Sequence, residues 1–177
     1  MRVTPALLIG GCLIIFGAVI LVAVLLPNIT QSGQPSEIFR ERTSLELVGR
    51  KLFIQNGCSY CHSQYIRYVD WDLGSERVAE AGDYIQDRPH QLGSERTGPD
   101  LSQEGGEHPD DWHLAHFVNP RYTRPESLMP PFQYLGQREV GALVNYVQSL
   151  GLKDADYRVK RQQYWKQKAI QAYEAGP

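Results

Sequence analysis

Asn56-Gly57-Cys58-Ser59-Tyr60-Cys61-His62 is the stretch on which the reading of this chain turns. C-x-x-C-H is a c-type haem attachment signature. Its spacing has a physical reason. Two thiols on one helical turn reach the two vinyl groups on one edge of a porphyrin, and the imidazole of the next residue then lies under the ring to bind iron. A structural zinc site would need two more suitable ligands nearby, and the third cysteine, Cys12, sits in an apolar run. A redox dithiol would need no histidine at that place and usually a βαβ context, which the helical pattern here lacks.

Upstream, Ser44 can cap a helix through Leu45, Val48, Leu52 and Phe53, ended by Gly57. Downstream, residues 63–96 keep no helical or strand period and are punctuated by Gly74, Gly82, Pro89 and Gly93, the mark of a long functional or docking loop. In Thr97-Gly98-Pro99-Asp100-Leu101, a backbone carbonyl could accept the free ring N–H of His62 and strengthen it as a ligand. A helix is expected over Asp110–Val118, stopped at Asn119-Pro120. The clearest periodicity lies in Gln137–Leu150, where Val140, Leu143, Val144, Tyr146, Val147 and Leu150 form one apolar stripe terminated by Gly151. Residues 152–177 read as a further, basic helix.

A sixth ligand must come from the other side of the ring. Apart from Met1, the one methionine is Met129, in Pro125-Glu-Ser-Leu-Met129-Pro130-Pro131-Phe132. Prolines on both sides stiffen that loop, which suits a thioether holding a weak bond to iron. Core packing is the commoner role of a lone methionine, so both roles stand, with the proline frame favouring ligation. His/Met coordination raises the haem potential and closes the iron, which suits electron transfer rather than gas chemistry. His90, His108, His113 and His116 are rival ligands. His113 and His116, i and i+3 on one helix, would also suit a metal, but lack a carboxylate partner at fitted spacing and read as packing or surface residues.

At the other end, Ala6–Leu26 is a run of 21 residues without a charge, bracketed by Pro5 and Pro27. As a helix it spans about 31 Å, close to the hydrocarbon thickness of a bilayer. It is too long for a signal-peptide core, and VAVLLPN offers no good small-x-small cleavage site. Arg2 on the short side leaves the N-terminus in the cytoplasm by the positive-inside rule and sends the rest across. Gly10, Gly11 and Gly17 offer flat patches for a neighbouring helix, and the Asn28-Ile-Thr30 sequon lies against the membrane and reads as chance. The organisation expected is an anchor over 1–27, a polar tether over 28–44, a haem domain over 45–151 and a basic helical tail over 152–177.

The chain has 177 residues, 21% charged and 42% hydrophobic, with net charge −2, which excludes disorder and gives no basis for nucleic-acid binding. Charge is uneven. Residues 28–150 carry net −6 and residues 151–177 net +3. A solvated surface explains this, as does an acidic part steering a basic electron donor while the tail touches a partner or lipid headgroups.

These pieces in this order resemble a class I c-type cytochrome. More closely, the chain resembles the membrane-anchored monohaem subunit of the C-family, cbb-type haem–copper cytochrome c oxidases. The resemblance rests on LELVGRKLFIQNGCSYCHSQYIR, GSERTGPDL, GGEHPDDWHLAHFVNPR and PESLMPPF. It implies an all-α fold, with one transmembrane helix before the class I domain. It further implies thioethers on Cys58 and Cys61, iron ligation by His62 and Met129, and Gly98 and Pro99 on the His62 side. The subunit implied has no catalytic centre. It passes electrons from a donor to a large haem–copper subunit, with further cytochrome subunits as neighbours, in the inner or plasma membrane with its haem domain outside the cytoplasm. Nitric oxide reductases also use an anchored monohaem subunit, but their motif after the haem histidine usually differs from HSQ-x-IR. A haem sensor or peroxidase would need an open sixth position with a distal residue such as His113 or His116.

Overall fold

The computed structural model describes residues 4–30, 33–69, 77–93 and 96–176. Arg2, on which the orientation expected above rests, lies outside them, as do Gly74 and part of the long loop. The chain divides into two units, residues 1–34 and 35–177.

In the first unit, α1 (Pro5–Ile20), a π-helical turn (Leu21–Leu25) and α2 (Leu26–Thr30) form one apolar helix, Pro5–Thr30. The Thr4 hydroxyl accepts from the Leu7 amide at 3.3 Å and caps its start, with Pro5 at the first helical position. At ~1.5 Å per residue it is about 39 Å long, enough to cross a bilayer core of ~30 Å. A helix satisfies its own backbone polar groups, which hydrocarbon requires. The helix continues beyond Pro27, where the sequence pattern suggests an end. Proline has no N–H and crowds the carbonyl four residues back, and the wider π turn ahead of it makes room. The Thr30 hydroxyl donates to the Leu26 carbonyl at 2.8 Å in the last turn.

The second unit contains α3 (Ser44–Gln55), α4 (Asp110–Val118), α5 (Gln137–Gln148) and α6 (Leu152–Ala175), with 3-10 turns at Cys58–Tyr60, Ala81–Tyr84 and Pro120–Tyr122. No strand occurs among the described residues, so the fold is all-α. Thr43, one residue before the expected Ser44, caps α3. Its hydroxyl accepts from the Glu46 amide at 3.3 Å while the Glu46 carboxylate accepts from the Thr43 amide at 2.8 Å. Two orphan amides are satisfied at once. The preceding segment, polar enough to read as a tether, is fastened down. Arg40 forks onto Glu46 at 2.7 and 2.8 Å and reaches Asp156 at 2.7 Å. Arg42 pairs with Asp87 at 2.9 Å, donates to the Ser149 hydroxyl at 2.7 Å and lies 5.1 Å over the Tyr146 ring.

The core forms where α3 crosses α5. The expected stripe of α5 is all inside, with Tyr146 and Leu150 fully buried. Phe53 of α3 meets Tyr146 edge to face at 5.4 Å, and the Tyr146 hydroxyl donates to the Gln64 side-chain carbonyl at 2.8 Å. Burying side chains of this size stabilises by roughly 1.5–3 kcal/mol each. Such close approach needs Gly49. A Cβ there would fall on the Ala142 carbonyl and 2.6 Å from the Tyr146 Cβ. After α5, Gly151 (φ 97°) and Leu152 (φ 56°) both take left-handed conformations and swing the chain into α6. Leu152 is a non-glycine residue in that region, and its side chain is buried.

Gly49→Ala is expected to destabilise the protein by about 1–3 kcal/mol, as overpacking of a tight core does. The measurement is a denaturation curve with a lowered midpoint and an unchanged slope.

Candidate functional site

Helix α3 ends at Gln55 with Asn56 as its C-cap, and Gly57 takes the left-handed conformation (φ 69°) that turns the chain into the 3-10 turn Cys58–Tyr60. The amides of Cys61 and His62 both donate to the Cys58 carbonyl, at 3.2 and 3.0 Å. Cys58, Cys61 and His62 therefore share one tight turn. Both thiols are free; Cys58 is buried and Cys61 exposed. Burial pushes the Cys58 thiol up to about 11, so it is held protonated.

His62 is fixed from behind. Its Nδ1 lies 2.9 Å from the Pro99 carbonyl, an acceptor, so Nδ1 carries the proton and Nε2 keeps the lone pair. Gly98 lies flat against the ring, and a Cβ there would stand 2.7 Å from Nδ1 and 2.8 Å from Nε2. The Gly98 amide donates to the Cys61 carbonyl at 2.9 Å. Asp100 laces the two segments together. Its carboxylate accepts from the Ser63 hydroxyl, from the Tyr65 amide at 3.0 Å and from the Ser102 amide at 2.7 Å. Burial holds the His62 ring below its ordinary value and outweighs the opposing Pro99 bond, which keeps the imidazole neutral as metal ligation requires. Paired free thiols, a neutral imidazole with its second nitrogen tied back, and a glycine cradle along its ring are a donor set that fits haem c.

Met129 is half-buried and packs on the apolar cluster that includes Cys58, Leu101, Phe117 and Phe132. Its backbone is held on both sides. The amide donates to the Ser127 hydroxyl at 3.2 Å, and Arg121 Nη1 donates to the carbonyl, also at 3.2 Å. The Phe132 amide donates to the Phe117 carbonyl at 2.8 Å and ties the proline-framed loop to α4. Arg121 and Ser127 escape sequence reasoning; the one cue is that the Asn119-Pro120 stop of α4 is followed by a basic residue eight positions before Met129.

The remaining histidines divide. His90 is exposed. His108 has its Nδ1 2.6 Å from Glu104 Oε1, four residues earlier. His113 is buried, with Nε2 at 3.7 Å from the same oxygen and no hydrogen-bond partner. Trp112 stacks between His108 at 3.9 Å and His116 at 4.6 Å. His116 Nδ1 meets the Thr123 hydroxyl at 2.6 Å; that hydroxyl donates to the Pro120 carbonyl, so it accepts from His116. Among the described residues, no three acidic, histidine or cysteine side chains form a metal-binding group.

A family model described as "Cytochrome C oxidase, mono-heme subunit/FixO" matches residues 2–171. A comparison with curated proteins finds no match.

The histidine cluster makes stability pH-dependent. Burial, aided by neighbouring histidines, depresses His113 and His116 from about 6.5 to about 4. Between those values the unfolded chain binds more protons than the folded one, so stability is full above pH 6.5 and is lost as pH falls towards 4. For buried His113 the loss is on the order of 3 kcal/mol. Denaturation midpoints measured across that window are expected to fall with pH, with a shallower slope in His113→Gln.

Proposed function

The chain belongs to the family of mono-haem cytochrome c oxidase subunits, FixO, and from that premise we propose that it relays single electrons through one covalent haem c to the large haem–copper subunit of a membrane oxygen reductase. The helix Pro5–Thr30 anchors it, with the N-terminus in the cytoplasm and the haem domain on the outer side, where c-type attachment takes place. The chain itself reduces no oxygen. Its partners are the catalytic subunit, neighbouring cytochrome subunits and a soluble or membrane-bound electron donor.

Cys58 and Cys61 would hold the haem through thioethers, His62 Nε2 and the Met129 sulfur would hold its iron, and Gly98 and Pro99 would line the histidine side. Haem c held there supplies a one-electron iron couple. The protein's part is orientation and tuning. Pro99 accepts the His62 Nδ1 proton and makes the imidazole a stronger ligand. Gly98 leaves the ring room to stand in one plane. Arg121 and Ser127 hold the Met129 backbone, so that ligation of iron by its sulfur would not also have to order the loop. The observation that carries this reading is the 2.9 Å contact between His62 Nδ1 and Pro99 in a chain with the C-x-x-C-H turn. A sensor or peroxidase needs a sixth ligand that leaves easily, and a methionine pinned on both sides of its backbone argues against one.

Pigment in the purified chain is expected to survive extraction with acidified organic solvent and to become extractable in Cys58→Ala/Cys61→Ala. Extraction of pigment from the unaltered protein overturns the assignment. The reduced protein is expected not to bind carbon monoxide. Met129→Ala is expected to bind it and to lower the midpoint potential on the order of 100 mV or more, within the ~0.8 V range that axial ligation spans. The measurements are optical spectra with and without carbon monoxide and a redox titration.

A further inference from the structure

Helix α6 presents two different faces. Leu152 and Ala155 are buried; Arg158 donates to the Gly105 and Gln103 carbonyls at 2.6 and 3.1 Å, and Gln162 donates to the Gly106 carbonyl at 2.5 Å. These contacts hold one side of its first three turns on the domain. At ~100° per residue, Tyr157, Arg161, Tyr164 and Lys168 fall in a separate stripe about 60° wide, turned away from Gln162, with Trp165 about 40° beyond it on the Arg158 side. All five are exposed, Trp165 to 61%. The stripe is internally ordered. Tyr164 meets Trp165 edge to face at 5.3 Å, and Lys168 Nζ lies 5.9 Å from the centre of the Tyr164 ring. From Tyr157 to Tyr173 there are five bases and no acid.

We propose that this stripe of α6 docks on the anionic headgroup layer of the bilayer that carries the chain's own anchor. Three features select that occupant. Tyrosine and tryptophan interleaved with lysine and arginine is the side-chain chemistry of a membrane–water interface, where amphipathic rings sit at headgroup depth and cations meet lipid phosphates. The stripe has no row of branched aliphatics to serve as anchors in a protein groove. Charge also decides which face approaches. Residues 28–150 are net −6 and are repelled by an anionic surface, whereas residues 151–177 are net +3 and are attracted. The apolar helix Pro5–Thr30 keeps a bilayer within reach, and the inference rests on that anchoring.

The test uses the full haem-loaded chain in nanodiscs of phosphatidylcholine, with or without phosphatidylglycerol. A nitroxide is placed at Gln171→Cys on the same side of α6, in a Cys12→Ser background. Docking predicts that the label gains collisions with oxygen and loses collisions with a water-soluble nickel chelate in phosphatidylglycerol discs, and that high salt reverses both changes. Arg161→Gln and Lys168→Gln are each expected to lower the docked-to-free ratio about fivefold. A label equally exposed to the chelate in both lipids overturns the proposal. So does protection that is the same in both lipids and indifferent to the two substitutions, which is the signature of a protein contact. A chain that never enters the discs overturns the anchoring itself, and this inference with it.

Discussion

The crossing of α3 over α5 is the constraint that everything around the candidate site depends on. At Gly49 the two helices come so close that no side chain fits between them, and Phe53 and Tyr146 lock the contact one turn further on. Helix α3 runs directly into the turn that carries Cys58, Cys61 and His62, so the crossing sets where that turn begins. Tyr146 extends the same control past the turn through its hydrogen bond to Gln64. The site is thus positioned by a packed helix pair rather than by the loop in which most of its residues lie, as precise geometry requires.

Around that frame, buried arginines do the fastening. Arg42 joins Asp87, Ser149 and the face of Tyr146, while Arg50 reaches Asp87 at 3.5 Å and the carbonyls of Arg88 and Pro89. A segment without regular secondary structure is thereby held against the helices by charge-assisted hydrogen bonds, which are the stronger kind. Two planar fork-shaped donors, Arg42 and Arg50, supplement the few apolar contacts that the long loop makes.

Much of the architecture was legible in the chain because it is periodic or local. The stripe from Val140 to Leu150 and the stop at Asn119-Pro120 follow from repeats and backbone restrictions a few residues long. C-x-x-C-H is legible because its spacing is a known haem-attachment signature. The misreadings have physical causes too. Thr43 outcompetes Ser44 as a cap because Glu46 lies three residues beyond it, and Pro27 fails to end its helix because a π turn relieves the clash. What could not be read are choices of distant partner. Arg42 finds Asp87 45 residues away, Asp100 gathers Ser63 and Tyr65, and Arg121 reaches back over the Met129 loop. Nothing in a linear pattern of polar residues says which will meet. Glu104 and His108 were within reach of sequence reasoning at i, i+4, but no regular helix at that point suggested the pairing.

The joint at Leu152 sets two demands of one position against each other. Its backbone conformation suits glycine, yet its side chain fills space that glycine would leave empty. Relieving the dihedral gains about 1 kcal/mol, whereas emptying the cavity forfeits roughly 2–5 kcal/mol for a leucine-sized group. The compromise tolerates few replacements: β-branched residues fare worst, and the unbranched apolar ones come nearest. The joint is thereby made stiff by the very residue that strains it, and the direction in which the last helix leaves the domain is inherited from two consecutive left-handed residues, Gly151 and Leu152.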